Sequence, residues 1–306
     1  MGYQLSIDIL LLYRKKDMKL TRDEIKHLTL RAIVSDDKLF ERLVLKGGNA
    51  LALGYKLDLR ASEDIDFSIS RDFSEEELNY VTKVIEQTLT DTFAEKNYEV
   101  FNYKFQIKPK VKGKDVPNNW GGYKVSFKVC PYGEYKDAQD KSRHAGTPFE
   151  IEISKHEYCE DKALVALSEE YMVYVYTPDL IACEKLRAIC QQHPDYIAKI
   201  GKSYNTARAR DFYDIYQLYR HYNVDLTTPK GLESLRAVFA VKDVDLSLLL
   251  SIGDSEQKEF HRADFENVKV TVTHPEDLKD YEFYYDFIVN EANKLSQALG
   301  IIQSPS

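Results

Sequence analysis

"LVLKGGNALALGYKLDLRASEDIDFSIS", from Leu43 to Ser70, places two carboxylates, Asp64 and Asp66, two residues apart in an otherwise apolar strand. Successive side chains of a strand point to opposite faces, so Ile65, Phe67 and Ile69 form a core face and Asp64, Asp66 and Ser68 share the other. Two carboxylates held that close repel each other unless water or a cation intervenes. Upstream, "LVLKGG" reads as a short buried strand broken by Gly47 and Gly48, and "NALALGYKL" as a short helix. A strand that ends in glycines and opens a helix turns its backbone N–H groups toward one point without side-chain obstruction, which suits an anion. The returning acidic strand, expected over 64 to 70, sets Asp64 and Asp66 beside that point. A phosphate at Gly47 and Gly48, bridged to two acids by a divalent ion, is the arrangement that nucleotidyl transfer needs, because magnesium shares its oxygen ligands with substrate phosphates. Two solvated acids at a strand end are the ordinary alternative.

A third carboxylate is available in "PFEIEISKHE", where Phe149, Ile151 and Ile153 alternate with Glu150, Glu152 and Ser154. Glu152, in mid-strand, is the better-placed metal ligand of the two acids, although an exposed strand face can carry both for solubility alone.

Composition bounds the rest. The chain has 306 residues, is 43% apolar and 30% charged, and carries a net charge of -8. It is long enough for two domains with cores of their own. The negative balance disfavours indiscriminate coating of nucleic acid but permits a local basic patch. No apolar run approaches the roughly 20 residues of a membrane span. The opening "MGYQLSIDILLLYRKKDMKL" lacks signal-peptide order, so a cytoplasmic location is the default expectation. Cys130, Cys159, Cys183 and Cys190 have no C-x-x-C pairing, which points to buried, reduced thiols rather than structural zinc.

Residues 5 to 35 read as one or two helices, with Thr21 capping three residues before Glu24. "DFSEEELNYVTKVIEQTLTDTFAEK" reads as a helix capped by Ser74. Strands are expected at 98 to 108, 122 to 131 and 149 to 154. Beyond Thr177 the texture turns helical, at 178 to 192, 205 to 221, 229 to 240 and about 276 to 299. The expected architecture is α/β, a mixed sheet with flanking helices over 1–175 followed by a helical domain over 176–306.

Five blocks in order, "LKGGNAL", "ASEDIDFS", "IEIS", "LIACEKLRAI" and "RARDFYDIYQL", resemble the AbiEii/AbiGii group of abortive-infection nucleotidyltransferase toxins, within the DNA polymerase β-like superfamily. The resemblance spans roughly Leu43 to Leu218. It implies a minimal nucleotidyltransferase fold with a helical C-terminal domain, a magnesium-dependent transfer from a nucleoside triphosphate to RNA, with tRNA as the expected acceptor, and a cognate antitoxin protein. It assigns catalysis to Asp64, Asp66, Lys185 and Asp211, metal binding to Asp64, Asp66 and Glu152, and nucleotide contact to Lys46, Gly47, Gly48, Asn49, Ser62 and Lys185. Asn49 stands where the family often shows Thr, and Gly48 where the wider superfamily shows Ser, which leaves the phosphate to backbone groups. An aminoglycoside-type nucleotidyltransferase and a non-catalytic RNA-binding relative are the alternatives.

The later blocks also have a physical reading. On a helix over 179 to 192, Leu180, Cys183, Leu186 and Cys190 form the core stripe and Lys185 lies on another face. It is either directed at the triphosphate or snorkelling at the surface. In "TARARDFYDIYQLYR", Phe212, Ile215, Tyr216 and Tyr219 read as the buried stripe, and Arg210 and Asp214 as an i,i+4 pair. Asp211 is then left without a local partner and becomes a candidate general base, with Arg208 and Arg210 available to phosphate or RNA. Finally, Lys104, Lys108, Lys110, Lys112 and Lys114, interleaved with Tyr103 and Phe105, read either as an RNA-tracking patch or as a lysine-guarded sheet edge. His144 and His156 carry no assignment.

Overall fold

The computed structural model describes residues 19–57, 59–60, 64–109, 119–134, 146–201 and 205–301. Helix α1 (Arg22–Val34) opens with the expected capping box, in which Thr21 and Glu24 satisfy each other's backbone N–H groups. Helix α2 (Asp37–Arg42) follows under an Asp36 cap. Strand β1 (Val44–Lys46) runs into a single helical turn, α3 (Gly47–Asn49), and a π-helical turn over Ala50–Gly54. Strand β2 is Ile65–Ser68, shorter at both ends than the 64 to 70 expected, so Asp64 lies one residue before it. Helix α4 (Glu75–Ala94) has the Ser74 and Glu77 capping box.

Strands β3 (Tyr98–Lys108) and β4 (Gly122–Pro131) have the expected bounds, while β5 (Thr147–Ser154) begins two residues early. Two further strands, β6 (Lys162–Ala166) and β7 (Met172–Tyr176), were not expected. Their short hairpin supplies an edge whose burial is too mixed for a strong alternation.

The helices that follow are α5 (Pro178–Cys190), α6 (Pro194–Lys199), α7 (Ala209–Tyr222), α8 (Pro229–Ala240), α9 (Leu248–Ser251), α10 (Ser255–Arg262), α11 (Phe265–Lys269) and α12 (Tyr281–Ala298). Helices α7 and α12 are shorter than expected at their starts. The described residues after Thr177 form no further strand, apart from an isolated bridge between Arg60 and Val272.

The seven strands form one mixed sheet in the order β3-β4-β5-β2-β1-β7-β6. β1 is antiparallel to β2 and parallel to β7, and β2 is parallel to β5. This order places the acid-bearing strands in the middle of the sheet. One face is apolar: Ile65, Phe67, Val125, Phe127, Ile151 and Ile153 are buried, and Phe127 meets Phe93 of α4 edge to face at 6.1 Å. A buried Leu, Ile or Phe side chain contributes about 1.5–3 kcal/mol, so this face fixes the register of β2 and hence the side on which Asp66 emerges.

Candidate active site

Register brings the first three groups together. Lys46 of β1 pairs with Asp66 of β2, and Asp66 pairs with Glu152 of β5, so their side chains stand on the same face of three adjacent strands. Gly47 has φ +67°, and a Cβ added there would lie 2.9 Å from Asp66 Oδ2. Glycine is therefore required both by backbone conformation and by the carboxylate beside it. Asp64 is exposed at the mouth of β2. Asn49, expected at the nucleotide, is instead buried, and its Nδ2 donates to the Asp64 carbonyl at 2.5 Å. It is a strut for the acidic segment. Ser62 lies outside the described residues.

A cavity of about 1100 Å³ opens in front of these groups. It is lined by Lys46, Gly47, Gly48, Asp64, Asp66 and Glu152 from the sheet side and by Lys185 and Asp211 from the helices. The helices after Thr177 thus stand over the strand acids, as Lys185 and Asp211 require if they act on the same substrate.

Asp66 is short of positive charge. Burial pushes its carboxyl up to about 6; Lys46 pulls the other way, while Glu152, Glu184 and Asp64 push it further up. Lys46 itself is engaged elsewhere, its Nζ lying 2.6 Å from Glu184 Oε1. Burial alone would lower the Lys46 pKa, but Glu184 and Glu157 outweigh it and hold the ammonium charged. The chain of charges continues from Arg187 to Glu157 at 2.8 Å and from Lys242 to Glu157 at 3.3 Å. Lys242 also donates to the carbonyls of Asn119 and Lys155, each at 2.8 Å, tying three segments at the back of the cavity.

The helical wall is built differently. Lys185 Nζ lies 2.7 Å from Asp211 Oδ1 and 2.8 Å from Asp214 Oδ2. Arg60 completes the cluster, with Nε 3.1 Å and Nη2 2.8 Å from the two oxygens of Asp214, a bidentate pair. This removes one of the two alternatives for Lys185 and overturns the local reading of Asp211 and Asp214. Lys185 does not snorkel but is 7% exposed, and its stem is packed while its ammonium is held by two acids. Asp214 pairs with Arg60 and Lys185 rather than with Arg210. Asp211 has Lys185 as partner, with Arg208 Nη1 at 3.6 Å from its other oxygen. The buried stripe of α7 also includes Asp211 and Asp214, while Tyr216 and Tyr219 are only partly covered.

Burial would raise the Asp214 carboxyl, but Arg60 and Lys185 bring it down to about 2. Asp211 lines the cavity, and its Oδ2 is buried with no hydrogen bond among the described residues and Arg208 Nη1 beside it. His261, also buried, accepts the Arg208 backbone N–H on Nδ1 at 3.0 Å and so fixes the start of α7, three residues before Asp211.

Arg60, Glu157, Glu184, Arg187 and Lys242 all line the cavity but were not singled out from the sequence. Glu184 and Arg187 flank Lys185 within "CEKLRAI", a local signal that was available. Arg60, Glu157 and Lys242 had none.

Among the described residues no three or more His, Cys, Asp or Glu side chains converge as a ready-made metal cage. Asp66 and Asp64 nevertheless fit magnesium, which is bound through one or two carboxylates with phosphates and water completing its shell. The elevated Asp66 carboxyl is the observation that supports this fit. Glu152 adjoins Asp66 by register, whereas Glu150 is drawn to Lys124 at 2.5 Å and does not line the cavity.

The basic patch is corrected too. Tyr103 donates from its hydroxyl to Thr82 O of α4, and Phe105 packs against Tyr123, so both rings lie on the core face, away from Lys104. Lys110, Lys112, Lys114 and His144 lie outside the described residues. The four cysteines are buried, as expected.

A family model described as the nucleotidyl transferase AbiEii toxin of a type IV toxin–antitoxin system matches residues 28–294. Among solved structures, the chain is similar to a candidate nucleotidyltransferase from Helicobacter pylori, at 19% identity and TM-score 0.46, covering 94% of this chain and 100% of that one. It is also similar to JHP933 from Helicobacter pylori, at 20% identity and TM-score 0.46, covering 92% of this chain and 95% of that one. None of the curated proteins matches it. Among the described residues no helix is long and apolar enough to cross a membrane.

Proposed function

Because this chain belongs to the AbiEii family of nucleotidyltransferase toxins, we propose that it moves a nucleotide from a nucleoside triphosphate to a hydroxyl of RNA, with tRNA the expected acceptor. The observation that carries the reading is the cavity in which the Asp64 and Asp66 carboxylates, the Gly47–Gly48 turn, Lys185 and Asp211 meet. A magnesium ion bound by Asp64 and Asp66 would draw the triphosphate oxygens in and offset the charge that develops on them. Gly47 and Gly48 bring backbone groups against the phosphates. Lys46 and Lys185 supply fixed positive charge toward the departing pyrophosphate. Asp211, held by Lys185 through one oxygen, presents the other to the proton of the attacking hydroxyl. The new bond joins that hydroxyl oxygen to the α-phosphorus, and the bond from the α-phosphorus to pyrophosphate breaks.

The charge of the cavity selects among acceptors. Lys46, Arg60, Lys108, Lys185, Arg187, Arg208, Arg210 and Lys242 line it against Asp64, Asp66, Glu152, Glu157, Glu184 and Asp211, eight cations to six acids in a chain of net charge -8. That balance favours a polyanion over a cationic aminoglycoside. A toxin of this kind acts in the cytoplasm and is restrained by its antitoxin. The regions 1–175 and 176–306 are read as the nucleotidyltransferase domain and the helical domain that closes over it. Incubating the protein with each labelled triphosphate, magnesium and total RNA tests the reading: label is expected in RNA with one or more of the four triphosphates, and its absence with all four overturns it.

A further inference from the structure

The β3-β4-β5 half of the sheet has two unlike faces. The core face holds Tyr103, Phe105 and Val125. Strand alternation and register put Lys104 and Lys108 of β3, and Lys124 and Lys128 of β4, on the other face, continuous with Glu152 and Asp66. Helix α4 packs against β3 from the core face, where Tyr103 bonds Thr82 O. On the opposite face Lys104 is exposed.

Not all of these lysines carry free charge. Lys124 is 2.5 Å from Glu150 and 3.9 Å from Glu152. Lys104 and Lys108 make no ion pair among the described residues. Four residues apart on one strand, they stand ~13 Å from each other at about 3.3 Å per residue. Lys108 lines the cavity beside Gly121 and Gly122, so the row runs from open surface to the cavity edge. Across the cavity Arg210 also has no ion pair among the described residues.

We propose that this face, from Lys104 to Lys108, carries the sugar–phosphate backbone of the acceptor RNA and leads its terminal hydroxyl toward Asp66 and Glu152. The inference rests on the nucleotide-transfer reading and adds the surface that binds the acceptor. Charge complementarity favours RNA: two lysines with no ion pair among the described residues, on a chain of net charge -8, adjoin the acids at which the hydroxyl must arrive. Tyr103 and Phe105 face the core, so between Lys104 and Lys108 the surface tracks backbone charge, and Trp120 in the cavity lining is the aromatic ring at its inner end. Acceptor choice then follows shape more than sequence.

The test is steady-state labelling of RNA by the full chain and by a Lys104→Glu, Lys108→Glu variant, across RNA concentration and salt. The KM for RNA is expected to rise severalfold with kcat held. The log–log salt slope should become shallower by ~1.4, about 0.7 for each phosphate that the variant no longer neutralises. A Lys104→Gln, Lys108→Gln variant, which keeps polar side chains on the strand, is expected to show the same change in smaller measure, so a charge-reversal variant that fails to fold leaves the measurement intact. Unchanged KM and slope in either folded variant, with wild type labelling RNA, overturn this surface and leave nucleotide transfer standing. A wild type that labels no RNA overturns both. If KM holds but the variants escape neutralisation by the antitoxin, the face belongs to a protein partner and the proposal fails.

Discussion

Asp66 on the sheet is half-buried at the cavity and Asp214 in α7 is fully buried, and their electrostatic surroundings are opposite. Asp214, 0% exposed, is gripped by Arg60 and Lys185 and titrates at about 2. Asp66 has Lys46 nearby, but that lysine is bonded to Glu184, and burial with three neighbouring acids lifts Asp66 to about 6. The molecule neutralises one carboxylate with two of its own cations and leaves the other under-compensated at the cavity. The first arrangement serves the fold; the second is the one a ligand cation would complete.

The largest effect that separates them is on chemistry. Asp66→Asn is expected to lower nucleotide transfer by at least ~10²–10³-fold, the scale of losing one organised charge in an active site. Its melting temperature at neutral pH should be unchanged or higher, because a repelling charge is removed. Paired melts and RNA labelling check this, and a fully active variant would refute the metal role of Asp66. Asp214→Ala should move stability the other way, by ~3–5 kcal/mol, since it takes away a buried carboxylate that both Arg60 and Lys185 share. A denaturant titration measures it, and a loss below the error of the extrapolation would remove the contrast.

pH sharpens the comparison. Asp214 has a folded value below its ordinary 3.8, so its stabilisation is complete above that value and disappears as pH falls through about 2. Asp66 has a folded value above its ordinary 3.8, so ionising it costs stability that is absent below 3.8 and complete above about 6. Melts of wild type and Asp214→Asn should therefore converge by roughly 2 kcal/mol between pH 4 and 2. Melts of wild type and Asp66→Asn should converge as pH falls from 6 to 4. Convergence in the same window for both variants would mean that the two acids share one environment.

The smallest effect concerns Gly47. Alanine at φ +67° costs ~1–2 kcal/mol, and its methyl would meet Asp66 Oδ2. Gly47→Ala should lose about that much stability and part of its transfer activity. A variant that loses stability alone would mean that Asp66 can move aside.

Much of this was legible in the chain because the governing forces are local. The Thr21/Glu24 pair and the Ser74 cap formed as read, since each satisfies backbone N–H groups three residues away; Glu77 completes a box at Ser74. β3 and β4 have their expected bounds because period-two alternation is written into β4 and into β3 beyond its bulge between Phe101 and Lys104. The same alternation in "YKFQIK" separates Tyr103 and Phe105 from Lys104, and reading it strictly would have removed the aromatic rings from the patch. β6 and β7 escaped because a short edge hairpin needs little alternation to pair.

The sequence by itself determined the acid-bearing face of β2, the glycine turn before it, the mid-strand Glu152 and the helical character after Thr177. Each follows from neighbours within a few residues. Only the tertiary structure decided which charge meets which. Arg60 reaches Asp214 across 154 positions and Lys46 reaches Glu184 across 138, and no local rule spans such distances. The degree of burial was decided there as well. A carboxylate's affinity for its proton depends on the water removed and the cations brought close, and both are set only when the helices close over the sheet.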